Sequence, residues 1–453
     1  MSTPIPQNRA SFTLAEIVEL TEGELIGDGT GTVTGVSTDS RAVPAGGLFV
    51  ALSGERFDGH DFLAQVTHAG AALVQKGREV PAGLAAVAVD DTLDALGVLA
   101  QAHRIRWGNP VVGITGSAGK TTTKELTAAA LRATGATVAA TQGNLNNLIG
   151  VPMTLLTLTG EDLAVIEMGT SAPGEIEALA AIALPEVAIV TLVDAAHTAG
   201  LGSVDDVLVE KAALLGILDD EDVGIVNGDD ARLRALALPS ERLEYGTHED
   251  ADVRLLGFEV SEAGTAARYA VAGETHEVAL KLLGRGAALA GAAALAAVVA
   301  LGRDVAAAAA GLGEVTPVAG RMRLRHRADG LLIVDDVYNA NPASMRLALE
   351  TAAGLAKARG GKLRAVLGDM KELGELESRM HRAVVTGARA RGAELVLVGP
   401  AMAAVADGET AVAGAAEVEI TAGASDVLLV KGSRSMGLEA VVDAVLAAGG
   451  GEA

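Results

Sequence analysis

The feature that most limits how this chain can fold is the segment 111–124, where an apolar run breaks into glycines and a lysine just before a helical pattern. Residues 111–115 predict a buried strand, and residues 121–133 predict a helix. Between them, Gly116 and Gly119 allow backbone N–H groups to curl around a phosphate at the helix N-terminus, where the helix dipole favours an anion. The segment therefore predicts a phosphate-binding loop in an α/β domain.

The side chains that follow the glycines fit the same purpose. Lys120 is expected to reach the outer phosphates of a nucleotide, and the Thr121 hydroxyl is expected to ligate Mg²⁺. The spacing departs from the strict pattern for such loops, since Ile114 occupies the position of its first glycine and Gly113 lies one residue earlier. A glycine-rich turn before an ordinary helix remains the alternative. The predicted phosphate loop consists of Gly116, Ser117, Ala118, Gly119, Lys120, Thr121 and Thr122.

Length and charge limit what can be built around this loop. At 453 residues the chain is too long for a single hydrophobic core, so two or three domains are expected. Its 35 basic and 58 acidic residues give a net charge of −23, which repels nucleic acid and anionic membrane surfaces. The chain has no cysteine, which excludes disulfides, thiolate metal sites and cysteine nucleophiles. Its eight histidines show no paired metal-ligand spacing, so oxygen-bound Mg²⁺ is the expected metal.

Neither the N-terminal residues nor the most apolar stretch predicts export or membrane insertion. Residues 1–10 contain an arginine but no apolar run after it, so no secretory signal is expected and the product should stay in the cytoplasm. The longest uncharged run, residues 286–302, consists mostly of alanine and glycine and is short and weakly hydrophobic for a membrane span. We predict a helix buried in protein at this position.

Strand and helix patterns divide the chain into three predicted α/β domains. Residues 1–88 form a small front domain, residues 89–313 a central domain with the phosphate loop, and residues 314–453 a C-terminal Rossmann-like, doubly wound domain. The C-terminal domain is expected to contain strands at residues 331–336, 364–369, 394–399 and 427–432. Polar segments follow these strands, which predicts a second ligand-binding edge opposite the phosphate loop.

A polar segment of the front domain, residues 37–41, reads Ser-Thr-Asp-Ser-Arg and lies between two β-rich runs. Such a loop can satisfy its own backbone through Asx and hydroxyl turns, which would make it a plain connection. It can also bind a ligand, with Arg41 making a forked contact to phosphate and the hydroxyls bonding a sugar or base. The residues alone leave both interpretations open.

Two polar residues follow strands of the central domain. Glu167 ends the predicted strand 163–166, and His197 lies near the end of the predicted strand 187–193. Ligands bind outside the carboxyl ends of parallel strands, so two such residues aimed at one crevice favour a metal site. Lys211 lies in a helical stretch beyond His197, where a solvated helix face is the default interpretation.

Eight groups of residues, spread over nearly the whole chain, together resemble the Mur ligases of peptidoglycan synthesis. They are Ser37-Thr-Asp-Ser-Arg41 with Asp58-Gly-His60, Gly113-Ile-Thr-Gly-Ser-Ala-Gly-Lys-Thr-Thr-Thr-Lys124, Gly143-Asn-Leu-Asn-Asn147, Glu167-Met-Gly169, Ala196-His197, Tyr338-Asn-Ala-Asn-Pro342, Gly368-Asp-Met-Lys-Glu-Leu-Gly374 and Lys431-Gly-Ser-Arg434. The segments at 338–342 and 368–374 resemble the member that adds a D-alanyl-D-alanine dipeptide. The sister enzyme that adds the third amino acid carries an Asp-Asn-Pro-Arg segment, which this sequence lacks.

The resemblance implies an ATP-dependent amide ligase that works through an acyl phosphate. Its implied substrates are UDP-N-acetylmuramoyl-tripeptide and D-alanyl-D-alanine, and its implied cofactors are ATP and Mg²⁺. The front domain would bind the UDP-linked substrate, the central domain ATP, and the C-terminal domain would complete the ligase site. We expect a monomer with no nucleic-acid partner and no membrane insertion.

The matched motifs also imply roles for single residues. The catalytic residues would be Lys120, Glu167, His197 and Lys211. The magnesium ligands would be Thr121, Glu167, His197 and Lys211, the last of them carbamoylated. Arg321 and Asp336 would join the phosphate loop at ATP. The substrate-binding residues would be Ser37, Asp39, Ser40 and Arg41 at the uridine nucleotide, Asn144 and Asn146 in the segment 143–147, and Asn339, Asn341, Ser433 and Arg434 near the incoming dipeptide.

Four positions depart from the family pattern, namely Leu192, Ala213, Gly286 and Ala290. Three of them, Gly286, Ala290 and Ala213, are the only support for a second interpretation, a non-catalytic binding protein that has kept the fold. A third interpretation is another ATP-dependent amide ligase of the same fold, such as the sister cell-wall enzyme or a folylpolyglutamate-type ligase. Amine donors tested one by one would separate these enzymes.

Overall fold

The computed structural model describes residues 3–28, 30–54 and 57–452. The chain is mixed α/β with sheets rich in parallel strands, which confirms the predicted fold class. It forms two compact units, and the predicted boundaries at 88/89 and 313/314 stay predictions. The first unit comprises Met1–Ile114, Ala136–Thr170 and Gly174–Ala188, and the second comprises Thr115–Gly135, Ser171–Pro173 and Ile189–Ala453. In the described ranges, no helix is both long and apolar enough to cross a membrane.

In the first unit, short strands of the N-terminal region build a five-stranded sheet. Its order is Glu24–Ile26, Ala86–Val89, Ala71–Gln75, Leu48–Val50 and Val36–Ser37, with the first strand antiparallel and the others parallel. The inner strands are rich in alanine and valine and almost wholly buried, as expected for parallel strands covered on both faces. The other elements of this region are strands Ser11–Thr13, Thr32–Thr34, Ser53–Gly54 and Phe57–Asp58, helices Leu14–Thr21 and Thr92–Trp107, and the 3₁₀ helix Gly59–Gln65.

The first unit also contains the strand that leads to the phosphate loop. Val111–Thr115, whose last residue belongs to the second unit, pairs in parallel with Leu163–Glu167, which in turn pairs with Val138–Ala140. The register places Glu167 beside Ile114. Helices Gly150–Leu155 and Glu175–Ala183 complete this part, and strand Val187–Val190 begins in the first unit and ends in the second.

In the second unit, the helix after the phosphate loop is Lys120–Ala133, one residue longer than predicted. The alanine-rich helix Gly284–Ala300 packs against it and is largely buried, which confirms the predicted buried helix. Helix Val305–Leu312 approaches so closely that a methyl group added at Gly311 would lie 2.5 Å from Ala133 Cβ. Small residues therefore allow three helices to pack tightly behind the phosphate loop.

The rest of the second unit forms two sheets. Strands Val223–Asn227, Glu241–Gly246 and Val253–Ser261 run parallel, and Gly264–Val271 and Glu274–Leu280 continue as an antiparallel meander. The C-terminal sheet has the order Arg323–His326, Leu332–Asp336, Val427–Lys431, Leu363–Gly368, Glu394–Val398 and Thr410–Val412, all parallel except the first. The helices are Thr198–Leu201, Val204–Gly216, Ala231–Arg234, Pro342–Arg359, Glu377–Ala390, Pro400–Ala403 and Glu439–Ala448, with 3₁₀ helices Gly374–Leu376, Ala415–Glu417 and Arg434–Met436.

The C-terminal sheet is buried on both faces. Leu332 and Val334 enter one apolar core, while the alternating residues Leu331 and Ile333 enter another on the opposite face. Because successive side chains of a strand point to opposite faces, helices cover both sides of this sheet. The predicted doubly wound arrangement is confirmed, and its four predicted strands lie within one residue of their predicted ends.

Candidate functional site

The phosphate loop of the second unit has a backbone that only glycine can supply. Gly119 caps the helix Lys120–Ala133 with a φ of +86°, and Gly116 has a φ of +145°. A Cβ at Gly116 would lie 2.0 Å from the Thr191 hydroxyl. That hydroxyl donates to the Ala118 carbonyl at 2.6 Å, so Thr191 and the two glycines fix the path of the loop.

The helix N-terminus behind the loop carries positive charge. Its first turn reads Lys-Thr-Thr-Thr, and the Lys120 ammonium donates to the Gly116 carbonyl at 2.7 Å. Thr121 is buried at the same turn. The N–H groups, the helix dipole and the ammonium all favour an anion here. The structure therefore brings the predicted phosphate-loop residues together as a cationic loop.

Ser117 connects this loop to its surroundings. Its hydroxyl donates to the Asp194 carbonyl at 2.9 Å, and its N–H donates to the Leu192 carbonyl at 2.9 Å. Leu192 thus contributes through its backbone, which any residue at that position can supply. The Ser117 carbonyl accepts a hydrogen bond from the Asn341 side chain at 2.9 Å.

Residues predicted at ATP and at the dipeptide lie together at the edge of the C-terminal sheet. The Arg321 guanidinium lies 4.0 Å from the centre of the Tyr338 ring, and Arg434 lies 6.0 Å from the same ring. Asp336 accepts from the Met322 N–H at 3.1 Å and from the Lys431 ammonium at 2.6 Å. Two arginines around one ring concentrate positive charge where anionic groups could bind.

The segments 368–374 and 431–434 are joined by hydrogen bonds around Ser433. The Ser433 hydroxyl accepts from the Lys371 N–H at 2.9 Å, and the Ser433 N–H donates to the Asp369 carbonyl at 3.0 Å. The Lys371 ammonium lies 2.9 Å from the fully buried Asp369 carboxylate. Asn339 is exposed on the neighbouring segment, where its carbonyl accepts from Lys431 at 2.8 Å.

His197 meets the same segment 368–374. Its Nδ1 lies 2.5 Å from the Glu372 carboxylate, and the hydrogen bond lowers the pKa of Glu372. The neighbouring Thr198 hydroxyl donates to the Leu373 carbonyl at 2.9 Å, and the Ala199 N–H donates to the Glu372 carbonyl at 2.9 Å. These three hydrogen bonds hold residues 197–199, which follow the strand Val187–Val190, against the segment 368–374 of the C-terminal sheet.

Lys211 is not on a solvated helix face. Its side chain has 0% exposure, inside the helix Val204–Gly216. The default interpretation from the sequence is therefore wrong, because the helical pattern does not reveal which face a tertiary neighbour covers. Ala213 is half-buried in the same helix. The role of Lys211 as a carbamoylated ligand stays a prediction.

In the first unit, Glu167 and Asn146 lie together. The Asn146 amide donates to the Glu167 carboxylate at 2.8 Å, and the Glu167 N–H donates to the Thr141 hydroxyl at 2.9 Å. Glu167 is buried at the end of its strand. Asn144 instead contacts the N-terminal segment, where the Thr3 hydroxyl donates to its side chain at 2.7 Å.

The segment 37–41 shows features both of a plain connection and of a ligand-binding loop. Ser37 and Asp39 form hydroxyl and Asx turns, and the Arg41 guanidinium makes a forked contact to the Asp39 carboxylate at 2.9 and 2.8 Å. This contact lowers the pKa of Asp39. Arg41 nevertheless keeps 86% of its side chain exposed, and Ser40 is half-buried beside it. The polar groups of Ser37, Asp39 and Arg41 hydrogen-bond within the loop, and Arg41 still presents its guanidinium to solvent.

Thr121 of the second unit carries a hydroxyl and Glu167 of the first unit a carboxylate, and each is an oxygen donor of the kind that Mg²⁺ prefers. Over residues 3–28, 30–54 and 57–452, no group of three or more His, Cys, Asp or Glu side chains is arranged to hold a metal. Mg²⁺ needs no such cage, because one or two protein oxygens with nucleotide phosphates and water complete its shell.

Three residues that hold the loop were not found from the sequence. Thr191 and Asp194 bond the phosphate loop, and Arg346 pairs with the Asp194 carboxylate. All three are far from the loop in sequence, so no local pattern signals them. The only hint is that Thr191 and Asp194 flank the end of a predicted strand.

Comparisons with known proteins cover almost the whole chain. The Mur ligase family catalytic domain matches residues 32–104, the Mur ligase middle domain residues 114–299, and the Mur ligase glutamate ligase domain residues 320–434. UDP-N-acetylmuramoyl-tripeptide–D-alanyl-D-alanine ligase from Escherichia coli strain K12 is 37% identical over 450 residues, covering 96% of this chain and 98% of that protein. A crystal structure of MurF from Acinetobacter baumannii matches with a TM-score of 0.88 and 30% identity, covering 98% and 99% of the two chains. MurF ligase from Thermotoga maritima in complex with ADP has a TM-score of 0.80 and 29% identity over 90% and 96%.

Proposed function

Because this chain belongs to the Mur ligase family, we propose that it joins D-alanyl-D-alanine to UDP-N-acetylmuramoyl-tripeptide with cleavage of ATP. The observation that carries this conclusion is the 37% identity, over 96% of the chain, to a ligase named for these substrates. The reaction belongs to peptidoglycan precursor synthesis. The other amine donors and the non-catalytic interpretation are not favoured, since relatives from several bacteria carry this same name.

The chemistry proceeds in two displacements. The terminal carboxylate of the tripeptide attacks the γ-phosphorus of ATP, and the bond from that phosphorus to ADP breaks. The amine nitrogen of the dipeptide then attacks the acyl carbon, the carbon–oxygen bond to phosphate breaks, and the amine gives up a proton as the amide forms. Phosphorylation is needed because an unmodified carboxylate is a poor acyl donor.

The phosphate loop supplies the electrostatic part of this reaction. Lys120 exchanges its contact with the Gly116 carbonyl for the outer phosphates of ATP, and the loop N–H groups hold the remaining oxygens. Mg²⁺, when bound, neutralises charge that develops on the phosphates. Thr121, Glu167, His197 and Lys211 are proposed as its ligands on the resemblance alone.

The edge of the C-terminal sheet is proposed to receive the dipeptide. Arg434 is about half exposed beside Tyr338, and its guanidinium suits the carboxylate of the incoming D-alanyl-D-alanine. Asn339 and Ser433 lie on the adjoining segments and are assigned to the same substrate. Arg321, on the Tyr338 ring, is assigned with Asp336 to the nucleotide.

The front domain is proposed to hold the UDP-linked substrate. Arg41 exposes its guanidinium, and a phosphate could replace its contact with Asp39. Ser37 and Ser40 are assigned to the uridine nucleotide on the resemblance, and Asn144 and Asn146 to the same substrate. A monomeric cytoplasmic protein stays a prediction.

A phosphate-release assay tests the proposal. Release should require ATP, the UDP-linked tripeptide and D-alanyl-D-alanine together, and Lys120→Ala should abolish it while leaving the circular dichroism spectrum unchanged. Lys281→Ala is the matched control, since Lys281 is about half exposed and pairs with the exposed residue Glu314 at 3.5 Å. Near-normal release by Lys120→Ala would contradict the assignment of the phosphate loop.

A further inference from the structure

The side chain of Asn341 is engaged at both ends of its amide. Its oxygen accepts from the Ser344 N–H at 2.9 Å, which caps the helix Pro342–Arg359. Its nitrogen donates to the Ser117 carbonyl at 2.9 Å. One partner is a donor and the other an acceptor, so the orientation of the amide is determined by the two backbone groups.

The same helix touches the phosphate loop region a second time. Arg346, about one turn further along, pairs with the Asp194 carboxylate, and Asp194 is bonded through its backbone to the Ser117 hydroxyl. Ser117 is buried, with only 4% of its surface exposed. The first turns of the helix Pro342–Arg359 are therefore docked on the phosphate loop at two points centred on Ser117.

Holding the Ser117 carbonyl has a direct consequence for the loop. In a trans peptide the C=O and the following N–H point in opposite directions. The carbonyl turned towards Asn341 therefore directs the Ala118 N–H away from Asn341. That peptide unit lies in the middle of the loop, where backbone N–H groups are needed for phosphate.

We propose that Asn341 is a positioning residue for the nucleotide, which holds the Ser117–Ala118 peptide in the orientation that presents its N–H to phosphate. This inference rests on the proposed function and changes the role expected of Asn341, which the resemblance places near the dipeptide. It also ties the segment 336–342, on the dipeptide side, to the phosphate loop.

Two substitutions at Asn341 separate its role as a helix cap from its role in positioning the Ser117–Ala118 peptide. Asn341→Ser and Asn341→Asp both keep a good N-cap, but neither provides the amide donor for the Ser117 carbonyl. Asn341→Asp additionally places a carboxylate oxygen against that carbonyl. Asp304→Asn is the control. Asp304 caps a different helix, Val305–Leu312, by accepting from the Ala307 N–H, and the variant exchanges the same two residue types at that cap.

The readouts are the Kd for ADP with Mg²⁺ by calorimetry, the KM values, and the melting temperature. We expect Asn341→Ser to raise the Kd for ADP about fivefold, as for loss of one hydrogen bond, and Asn341→Asp to raise it tenfold or more. The KM for ATP should rise while the KM for D-alanyl-D-alanine and the melting temperature stay close to wild type. Asp304→Asn should change none of these.

Two outcomes would overturn the inference. An unchanged Kd for ADP with a raised KM for the dipeptide would make Asn341 a dipeptide ligand. A fall in melting temperature with all KM values raised alike would make it a structural cap only. Failure of the wild-type protein itself to bind ADP would instead remove the proposed function, so the two failures are distinguishable.

Discussion

Replacing Lys431 by methionine is expected to loosen the C-terminal sheet. Lys431 ends the strand Val427–Lys431, and only 1% of the residue is exposed. Its ammonium lies 2.6 Å from the Asp336 carboxylate and 2.8 Å from the Asn339 carbonyl, so one side chain connects two neighbouring strand ends. Methionine has a similar length and fills the space without the charge.

The free-energy cost of Lys431→Met follows from the Asp336 carboxylate, which stays buried after its partner is removed. The Asp336 side chain is 11% exposed, and removing one partner of a buried ion pair costs about 3–5 kcal/mol, because the other charge stays buried without compensation. With about 1.4 kcal/mol for each factor of ten, the local opening equilibrium should rise about 10²- to 4 × 10³-fold. The double variant Lys431→Met with Asp336→Asn removes both charges and keeps an acceptor for the Met322 N–H. Its main loss is the donor to the Asn339 carbonyl, about 1–3 kcal/mol.

Hydrogen exchange measured by mass spectrometry resolves this effect by segment. Peptides covering Leu332–Asp336 and Val427–Lys431 should lose protection in Lys431→Met and recover about 30-fold, or about 2 kcal/mol, in the double variant. Lys362→Met is the control, since its exposed pair with Glu394 is worth less than about 1 kcal/mol. Equal exchange in the single and double variants would refute the argument that the uncompensated carboxylate is the source of the loss.

Three further predictions concern the substrate loop, the buried lysine and acid stability. Arg41→Ala should raise the KM for the UDP-linked substrate several-fold and leave the KM for ATP nearly unchanged, whereas equal effects on both would mean that the loop only supports the fold. Lys211→Ala should be nearly inactive in phosphate release and recover part of its activity with added short-chain carboxylates, which can occupy the space of a lost carbamate; full activity without any addition would contradict its role as a metal ligand. The pKa of Asp58 is lowered by its hydrogen bonds with His60, so its contribution to stability is complete above the ordinary aspartate pKa of about 4 and is lost as the pH falls further. Asp58→Asn should therefore lower the melting temperature at pH 6 and have a smaller effect at pH 3, and an equal effect at both values would argue against this linkage.

Local sequence patterns predicted much of the fold, because the apolar periodicity of a short stretch of chain favours a helix or a strand there. The strand before the phosphate loop, the alanine-rich helix Gly284–Ala300 and the strands of the C-terminal sheet all lie where apolar periodicity placed them. The predicted strand 187–193 ends at Val190. Beyond it, Thr191 and the backbone of residues 192 and 194 bond the phosphate loop, and a local stretch of sequence does not reveal such long-range contacts.

The assigned roles of the site residues stay predictions, and the contacts between these residues were not predicted. The glycines and Lys120 were recognisable because a phosphate loop needs them in sequence order. The burial of Lys211 and the pairing of His197 with Glu372 depend on elements distant in the chain. The sequence likewise suggested Asn341 as a substrate ligand, whereas the fold uses its amide to join a helix cap to the phosphate loop.

The central claim is the identity of the amine donor, and product analysis tests it most directly. The protein is incubated with ATP, Mg²⁺ and UDP-N-acetylmuramoyl-tripeptide, and D-alanyl-D-alanine or single amino acids are supplied one at a time. Mass spectrometry should show a product heavier by one dipeptide less one water, formed with D-alanyl-D-alanine and in step with ADP. A product formed only with a single amino acid, or none with the dipeptide, would contradict the account.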